Sequence, residues 1–224
     1  MAEQDSALIV SIAVLGGTGK EGSGLAMRWA SRGYKVIIGS RDAERAQQHA
    51  AEMNMTLGGD YVVGMHNPEA AAAADLVVLS VPYAAHADTL RSVSEQVQGK
   101  IVVDLTVPMQ PPAVRTVHVP AGRAASLEAQ ALLGENVRVV SAFQNVSAVK
   151  MADPEAQVDC DVLVTGDDAD AKDEVIQLVE AAGMRGIDAG PLANAVAAES
   201  LTPVLLYINK KYGVKGAGIR ITGF

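Results

Sequence analysis

The sequence predicts an α/β fold: a doubly wound parallel sheet followed by a small C-terminal α/β segment that shares its cleft. Two observations carry that expectation. Short β-branched and aliphatic runs alternate along the chain with Ala-rich stretches of helical length. Apolar residues make up 49% of the 224 positions and aromatics only 4%, a balance that suits an α/β protein and argues against disorder. Strands that read as continuous apolar runs are buried on both faces, and the intervening helices cover them. Right-handed crossovers then wind the helices onto both sides of the sheet.

Taken in order, the expected strands are Val10–Leu15, Lys35–Ile38, Tyr61–Gly64, Leu76–Ser80, Ile101–Leu105 and Val137–Ala142. The helices between them are expected at Gly22–Arg32, Ala43–Met53, Pro68–Ala74, Ala84–Gln98 and Ala124–Leu133. The pair Asp153-Pro154 breaks the periodicity, which places a boundary near 150–158 and divides the chain into 1–150 and 151–224. The second part adds a strand at Asp161–Thr165, a helix at Ala169–Ala182 and a strand at Met184–Asp188. A last helix begins near Pro191, is expected to be interrupted at Pro203, and fades into a Gly-rich tail. About 70 residues are too few for an independent substrate domain, so this part must complete a cleft with the first.

Charge and cysteine usage narrow the function classes. A formal net charge of -8 disfavours nucleic acid or an anionic membrane as the main partner. Cys160 is the only cysteine, so no intramolecular disulfide and no cysteine-rich metal site is expected. The Met1–Gly17 stretch carries Glu3 and Asp5 where a secretion signal needs positive charge, and no run approaches a membrane span. The expectation is a cytoplasmic protein without metal that acts on small molecules.

The run Val14-Leu15-Gly16-Gly17-Thr18-Gly19-Lys20-Glu21-Gly22 follows the first strand and opens the first helix. Gly17, Gly19 and Gly22 match G-x-G-x-x-G, the Rossmann-type dinucleotide turn. The first glycine serves the tight turn, the second the approach of a pyrophosphate, and the third the packing of helix on strand. The phosphates then meet free N–H groups at the helix start.

The tip of the second strand selects the nucleotide. An NAD site offers a carboxylate to the ribose there, whereas this chain has Gly39-Ser40-Arg41, with Arg45 one turn on. Guanidinium groups grip a 2′-phosphate through charge-assisted bonds worth roughly 1.5–3 kcal/mol each, so NADP(H) is the expected partner. Asp42 is the rival, as a ligand for a ribose hydroxyl; a solvated helix start is the plain alternative for the arginines. After the fourth strand, Ser80-Val81-Pro82-Tyr83 faces the crevice where the nicotinamide arm runs, with Tyr83 either packed on ribose or ring or simply ending a strand.

With these blocks in place, the chain resembles the NADPH-dependent F420 reductases (F420:NADP oxidoreductases) over nearly its whole length. The likeness includes Val14–Gly19, Gly39-Ser40-Arg41, Ser141-Ala142-Phe143, Gly166-Asp167-Asp168 and Asp188-Ala189-Gly190-Pro191-Leu192. It continues through Glu199-Ser200-Leu201-Thr202-Pro203 and into the 213–220 tail. The resemblance implies reversible hydride transfer between NADP(H) and the deazaflavin coenzyme F420. By similarity, Thr18, Gly19, Lys20 and Glu21 line the pyrophosphate, and Ser40, Arg41 and Arg45 hold the 2′-phosphate. Ser80, Val81, Tyr83 and Ala87 flank the nicotinamide arm, and Ala148 and Ala217 close the pocket. The deazaflavin is expected between Gln144, Asn145 and Val146, Gly190, Pro191 and Leu192, and the tail. Some members have His where Gln144 stands; Gln hydrogen-bonds a ring carbonyl but carries no proton.

Hydride transfer between two rings needs alignment and exclusion of water more than acid–base catalysis, so no catalytic side chain is expected. His49, His66 and His118 read as surface residues and His86 as closer to the nicotinamide. The 108–122 loop is a lid or a plain surface loop. Lys210, Lys211, Lys215 and Arg220 form either a solvated helix end or a contact for an anionic coenzyme tail. The other open readings are a reductase of ordinary flavins or ferric chelates, an imine or carbonyl reductase, and a non-enzymatic NADP sensor. An imine reductase needs a proton donor, and neither Glu199 nor Asp188 has a partner that the sequence places. The apolar last helix suggests a homodimer.

Overall fold

The computed structural model describes residues 11–223. Val10, expected to open the first strand, and the acidic start of the chain lie outside them. The first half alternates strand and helix: β1 (Ser11–Leu15), α1 (Lys20–Ser31), β2 (Lys35–Ser40), α2 (Ala43–Leu57), β3 (Val62–His66), α3 (Asn67–Ala73), β4 (Leu76–Leu79), α4 (Tyr83–Val93) and β5 (Ile101–Asp104). The second half comprises α5 (Ala125–Leu133), β6 (Arg138–Ser141), α6 (Ala148–Met151), β7 (Asp161–Gly166), α7 (Ala169–Ala181), β8 (Arg185–Asp188), a 3-10 turn at Leu192–Asn194 and α8 (Ala195–Tyr212).

The strands form one eight-stranded sheet in the order β3-β2-β1-β4-β5-β6-β7-β8. The reversal between β1 and β4 is the topological switch point, at which open α/β sheets bind ligands beyond the strand ends. The first six strands are parallel, as continuous apolar runs predict. β7 joins antiparallel to β6 through Val140 opposite Gly166 and Ser141 opposite Thr165, and β8 lies parallel to β7.

Alternation along β1 shows why both faces need cover. Ile12 and Val14 enter one core with Leu25 and Trp29 of α1 and Val175 and Val179 of α7. Ala13 and Leu15 enter the other with Ala70 of α3, Leu90 of α4 and Ala129 of α5. Residues after 150 share the first core, and two side chains of α1 fasten them there. The Trp29 indole N–H donates to the Leu178 carbonyl at 2.9 Å. The buried Arg28 guanidinium donates to the carbonyls of Lys150, Met151, Asp153, Ala156 and Ala182.

Two expectations about helices change. α4 ends at Val93 rather than Gln98. The Ser94 hydroxyl bonds back to Arg91 O and the Gln98 amide to Ser94 O, side-chain competition that turns the chain. α8 runs unbroken through Pro203, which is buried inside it. Proline removes one helical donor, but tertiary anchors fix the turn that leads into it. Before it the Glu199 carboxylate caps α5, and beside it the Thr202 hydroxyl bonds Gln144 O.

Candidate functional site

The turn after β1 is shaped by close backbone approach. Gly16 has φ 78°, and a Cβ there would lie 2.3 Å from Ser80 O, so the left-handed residue sits one position before the first glycine of the motif. A Cβ on Gly22 would come within 3.0 Å of Gly17 Cα and 3.1 Å of Ser80 Oγ, which is the close helix–strand packing expected of the third glycine. Gly19 caps α1 and is exposed, so the first N–H groups of that helix open toward the strand ends.

At the tip of β2, the rival ligand Asp42 is committed. Its carboxylate caps α2 by accepting the Arg45 N–H at 3.1 Å, and its own N–H donates to Ser40 Oγ. Arg41 and Arg45 are exposed, and neither guanidinium enters an ion pair among the described residues. Arg41 lines a cavity of about 280 Å³ with His66, which the sequence analysis read as a surface residue, and with Asn67, Ala84, Ala85, Asp88, Thr89 and Ser92.

Two larger hollows adjoin. One, of about 350 Å³, is lined by Gly19, Lys20 and Glu21 of the turn, Ser80–Ala84, Leu105–Val107, Met109 and Pro111. The other, of about 440 Å³, is lined by Glu21, Met109, Gln144–Val149, Thr202, Leu205, Leu206, Asn209 and the tail at Val214–Ala217. Glu21 and Met109 line both, so the hollows meet there. The spacing of Thr202, Leu205, Leu206 and Asn209 puts them on one face of α8, a helical signal that was present in the sequence. The start of the 108–122 loop walls the hollows through Met109 and Pro111, while His118 pairs with Gln110 at the surface.

Gln144 enters the second hollow from a strained turn. Phe143 has φ 73° and buries its ring edge-on against Trp29, 6.0 Å between centroids. The Gln144 amide N–H groups donate to Asp104 O at 2.7 Å and Ser141 Oγ at 2.8 Å, which leaves Oε1 buried without a partner. With both donors used, the unpartnered acceptor is the hydrogen-bonding capacity that Gln144 keeps. Ala148 and Ala217 line the same hollow, the latter with its N–H on Asn209 Oδ1. The tail is tied down at buried Asp161, which accepts from Arg185 and from Ile221 N, and lies 3.5 Å from Arg220. These bonds, the Arg185 partnership foremost, hold the Asp161 carboxyl below the usual carboxylate range.

Gly190, Pro191 and Leu192 line neither hollow. The Leu192 side chain is buried in the second core, its N–H held by Asp167 Oδ1. Ala87 lies half-buried on α4 and also lines neither. Asp188 pairs with Lys172 and accepts from Gly190 N. Of the basic cluster, Lys215 lines the second hollow and Arg220 pairs with Asp159 at 3.1 Å; Lys210 and Lys211 are exposed.

A buried polar network backs the first hollow. His86 Nε2 lies 2.8 Å from Asp104 Oδ2. Burial disfavours the imidazolium, but the Asp104 bond and the charges of Asp104, Glu128 and Glu199 outweigh it and raise the His86 pKa. The Tyr83 hydroxyl donates to Glu128 at 2.8 Å, and burial together with that carboxylate pushes the phenol up to about 12. Glu199 accepts from Ala125 N, Ser126 N and Ser126 Oγ, closing the N-terminus of α5. Burial nonetheless lifts its carboxyl to about 7. His49 is half-buried against Ser23, 2.9 Å away, so it ties α1 to α2. Among the described residues no group of His, Cys, Asp and Glu is arranged to hold a metal, and no helix is long and apolar enough to cross a membrane.

Comparison with known proteins agrees with this geometry. Residues 11–108 match the family described as NADP oxidoreductase coenzyme F420-dependent. The chain is 44% identical to the F420-dependent NADP reductase of Methanothermobacter thermautotrophicus, over 96% of each chain. It is 41% identical to that of Methanocaldococcus jannaschii, over 95% of this chain and 98% of the other. Among solved structures, a hypothetical protein from Sinorhizobium meliloti superposes with TM-score 0.67 at 26% identity, covering 88% of this chain and 90% of that one. Nucleotide turn, arginine-tipped second strand and tail-closed hollow thus occur in a chain that belongs to the F420-dependent NADP reductase family.

Proposed function

We propose that this protein transfers hydride between NADP(H) and coenzyme F420. The observation that carries the reading is the meeting of two hollows at Glu21 and Met109, one opening on a dinucleotide turn and the other closed by the tail. The nicotinamide gives or takes hydride at C4, and the deazaflavin takes or gives it at a ring carbon. The protein binds, aligns and excludes water. Thr18–Gly22 receive the pyrophosphate, and Ser40, Arg41 and Arg45 the 2′-phosphate. Ser80, Val81 and Tyr83 flank the nicotinamide arm in the first hollow, with the Tyr83 ring steadied by Glu128. Gln144–Val146, Ala148 and Ala217 receive the deazaflavin, and the orphaned Gln144 acceptor suits a ring N–H.

Residues 1–150 act as the nucleotide-binding part and 151–224 complete the cleft. Val149, Val204, Tyr207, Tyr212 and Val214 are exposed apolar side chains on α6, α8 and the tail, and a homodimer covering them, working in the cytoplasm, is the expected assembly. Light scattering at micromolar concentration tests it. The activity is tested by mixing protein, NADPH and F420 and following absorbance. Rapid oxidation with F420, far slower reaction with FMN or ferric chelate, and little with NADH support the reading. No reaction with F420 overturns it.

A further inference from the structure

The wall shared by the two hollows contains a carboxyl. Glu21 lies in the first turn of α1, lines both hollows, and enters no hydrogen bond or ion pair among the described residues. The charged groups that line the hollows with it are Lys20 on α1 and Lys215 on the tail, and it is the only carboxyl among the lining residues of either hollow. The hydroxyl donors there are committed or weak. Tyr83 donates to Glu128, Thr106 to Val81 O and Thr202 to Gln144 O. Ser80 and Ser147 are alcohols, too weakly acidic to release a proton.

We propose that Glu21 is a catalytic residue: neutral in the loaded cleft, it donates the proton that accompanies hydride transfer to the deazaflavin and recovers it in the reverse direction. This rests on the reading of the protein as an NADPH:F420 reductase. In the forward direction a C–H bond at nicotinamide C4 breaks and its electron pair forms a C–H bond on the acceptor ring. The nicotinamide is oxidised and the deazaflavin reduced. The Glu21 O–H bond breaks as an N–H bond forms on the reduced ring, and the carboxylate regains its proton from water. Burial already lifts the Glu21 carboxyl to about 8. A pyrophosphate at the first turn of the same helix places further negative charge beside it and favours the neutral form again.

The test compares wild type with Glu21→Gln, which keeps the shape and lacks the proton, and with Glu21→Asp. Calorimetry of NADP+ binding at pH near 8.5, in two buffers of different ionisation enthalpy, reads proton uptake without turnover. Wild type takes up a fraction of a proton, because bound nucleotide favours the neutral carboxyl, and E21Q takes up none. In turnover with NADPH and F420, kcat of E21Q falls on the order of 100-fold, E21D recovers part of the loss, and the alkaline limb of the pH profile disappears in E21Q. Equal uptake in wild type and E21Q, or an unchanged kcat and pH profile in E21Q, overturns the role of Glu21 while leaving the reductase reading intact. A wild type that leaves F420 unreacted overturns that reading, and the donor role falls with it.

Discussion

Replacing Arg41 by Ala isolates the charge at the tip of β2. The side chain is exposed and pairs with no carboxylate among the described residues, so its loss leaves no buried group unsatisfied and the fold is expected to stand. Asp42, which otherwise would compete for a guanidinium, is held by its cap on α2. Each charge-assisted bond to a phosphate is worth roughly 1.5–3 kcal/mol, and at an exposed site the lower end applies. One or two such bonds correspond to about 10- to 100-fold in the dissociation constant of NADPH. NADH has no phosphate there, so its affinity changes by no more than about twofold. The Arg41→Asp variant repels the phosphate as well and widens the loss for NADPH alone. Fluorescence titration of both nucleotides, at low and high salt, reads the effect, and the NADPH penalty shrinks as salt screens the exposed pair. Equal weakening of NADPH and NADH, or none of either, refutes the assignment of the 2′-phosphate to this tip.

Other positions give sharper structural tests. Gly22→Ala brings a methyl to 3.0–3.1 Å from Gly17, Ser80 and Val14, so chemical denaturation should show a loss of about 1–3 kcal/mol; an unchanged midpoint would contradict the close helix–strand packing. Asp161→Asn leaves Arg185 and Arg220 facing a neutral amide, and limited proteolysis should cut the 213–223 tail sooner while F420 binding weakens. Because the Asp161 carboxyl sits below its ordinary value, its contribution is present at neutral pH and lost on acidification through that lowered value; a tail equally protected in both proteins argues against the anchor. Glu199 behaves in the opposite sense. Its folded pKa of about 7 lies above the ordinary 4.5, so its contribution is complete below 4.5 and declines as pH rises toward 7. Thermal melts from pH 5 to 8 should therefore shift in favour of Glu199→Gln relative to wild type, by up to ~3 kcal/mol, and a difference independent of pH would count against a buried neutral acid.

Local patterns were legible because their causes are local. The apolar runs located the six strands that pair in parallel, and the glycine spacing located the turn, since both depend on residues a few positions apart. The register of that turn was less legible: the left-handed conformation fell on Gly16, which packs closely on Ser80 O just past the end of β4. What Asp42 does locally was not legible either: its carboxylate caps α2 by accepting the Arg45 N–H. Pro203 read as a break, yet α8 runs unbroken through it, its preceding turn anchored by Glu199 on α5 and by Thr202 on Gln144 O. The Gly190–Leu192 block resembled a cofactor contact, and Leu192 proved to be core.

By itself, then, the sequence determined the fold class, the glycine turn after β1 and the cationic tip of β2, because periodicity, glycine spacing and side-chain charge act over a few residues of chain. Only the tertiary structure decided that Glu21 and Met109 join two hollows, that the tail closes the second, and that Gln144 presents an acceptor. Burial and hydrogen-bond partnership are set by residues distant in sequence, such as Asp104 beside Gln144 and Asp161 beside Ile221, and no local pattern encodes them.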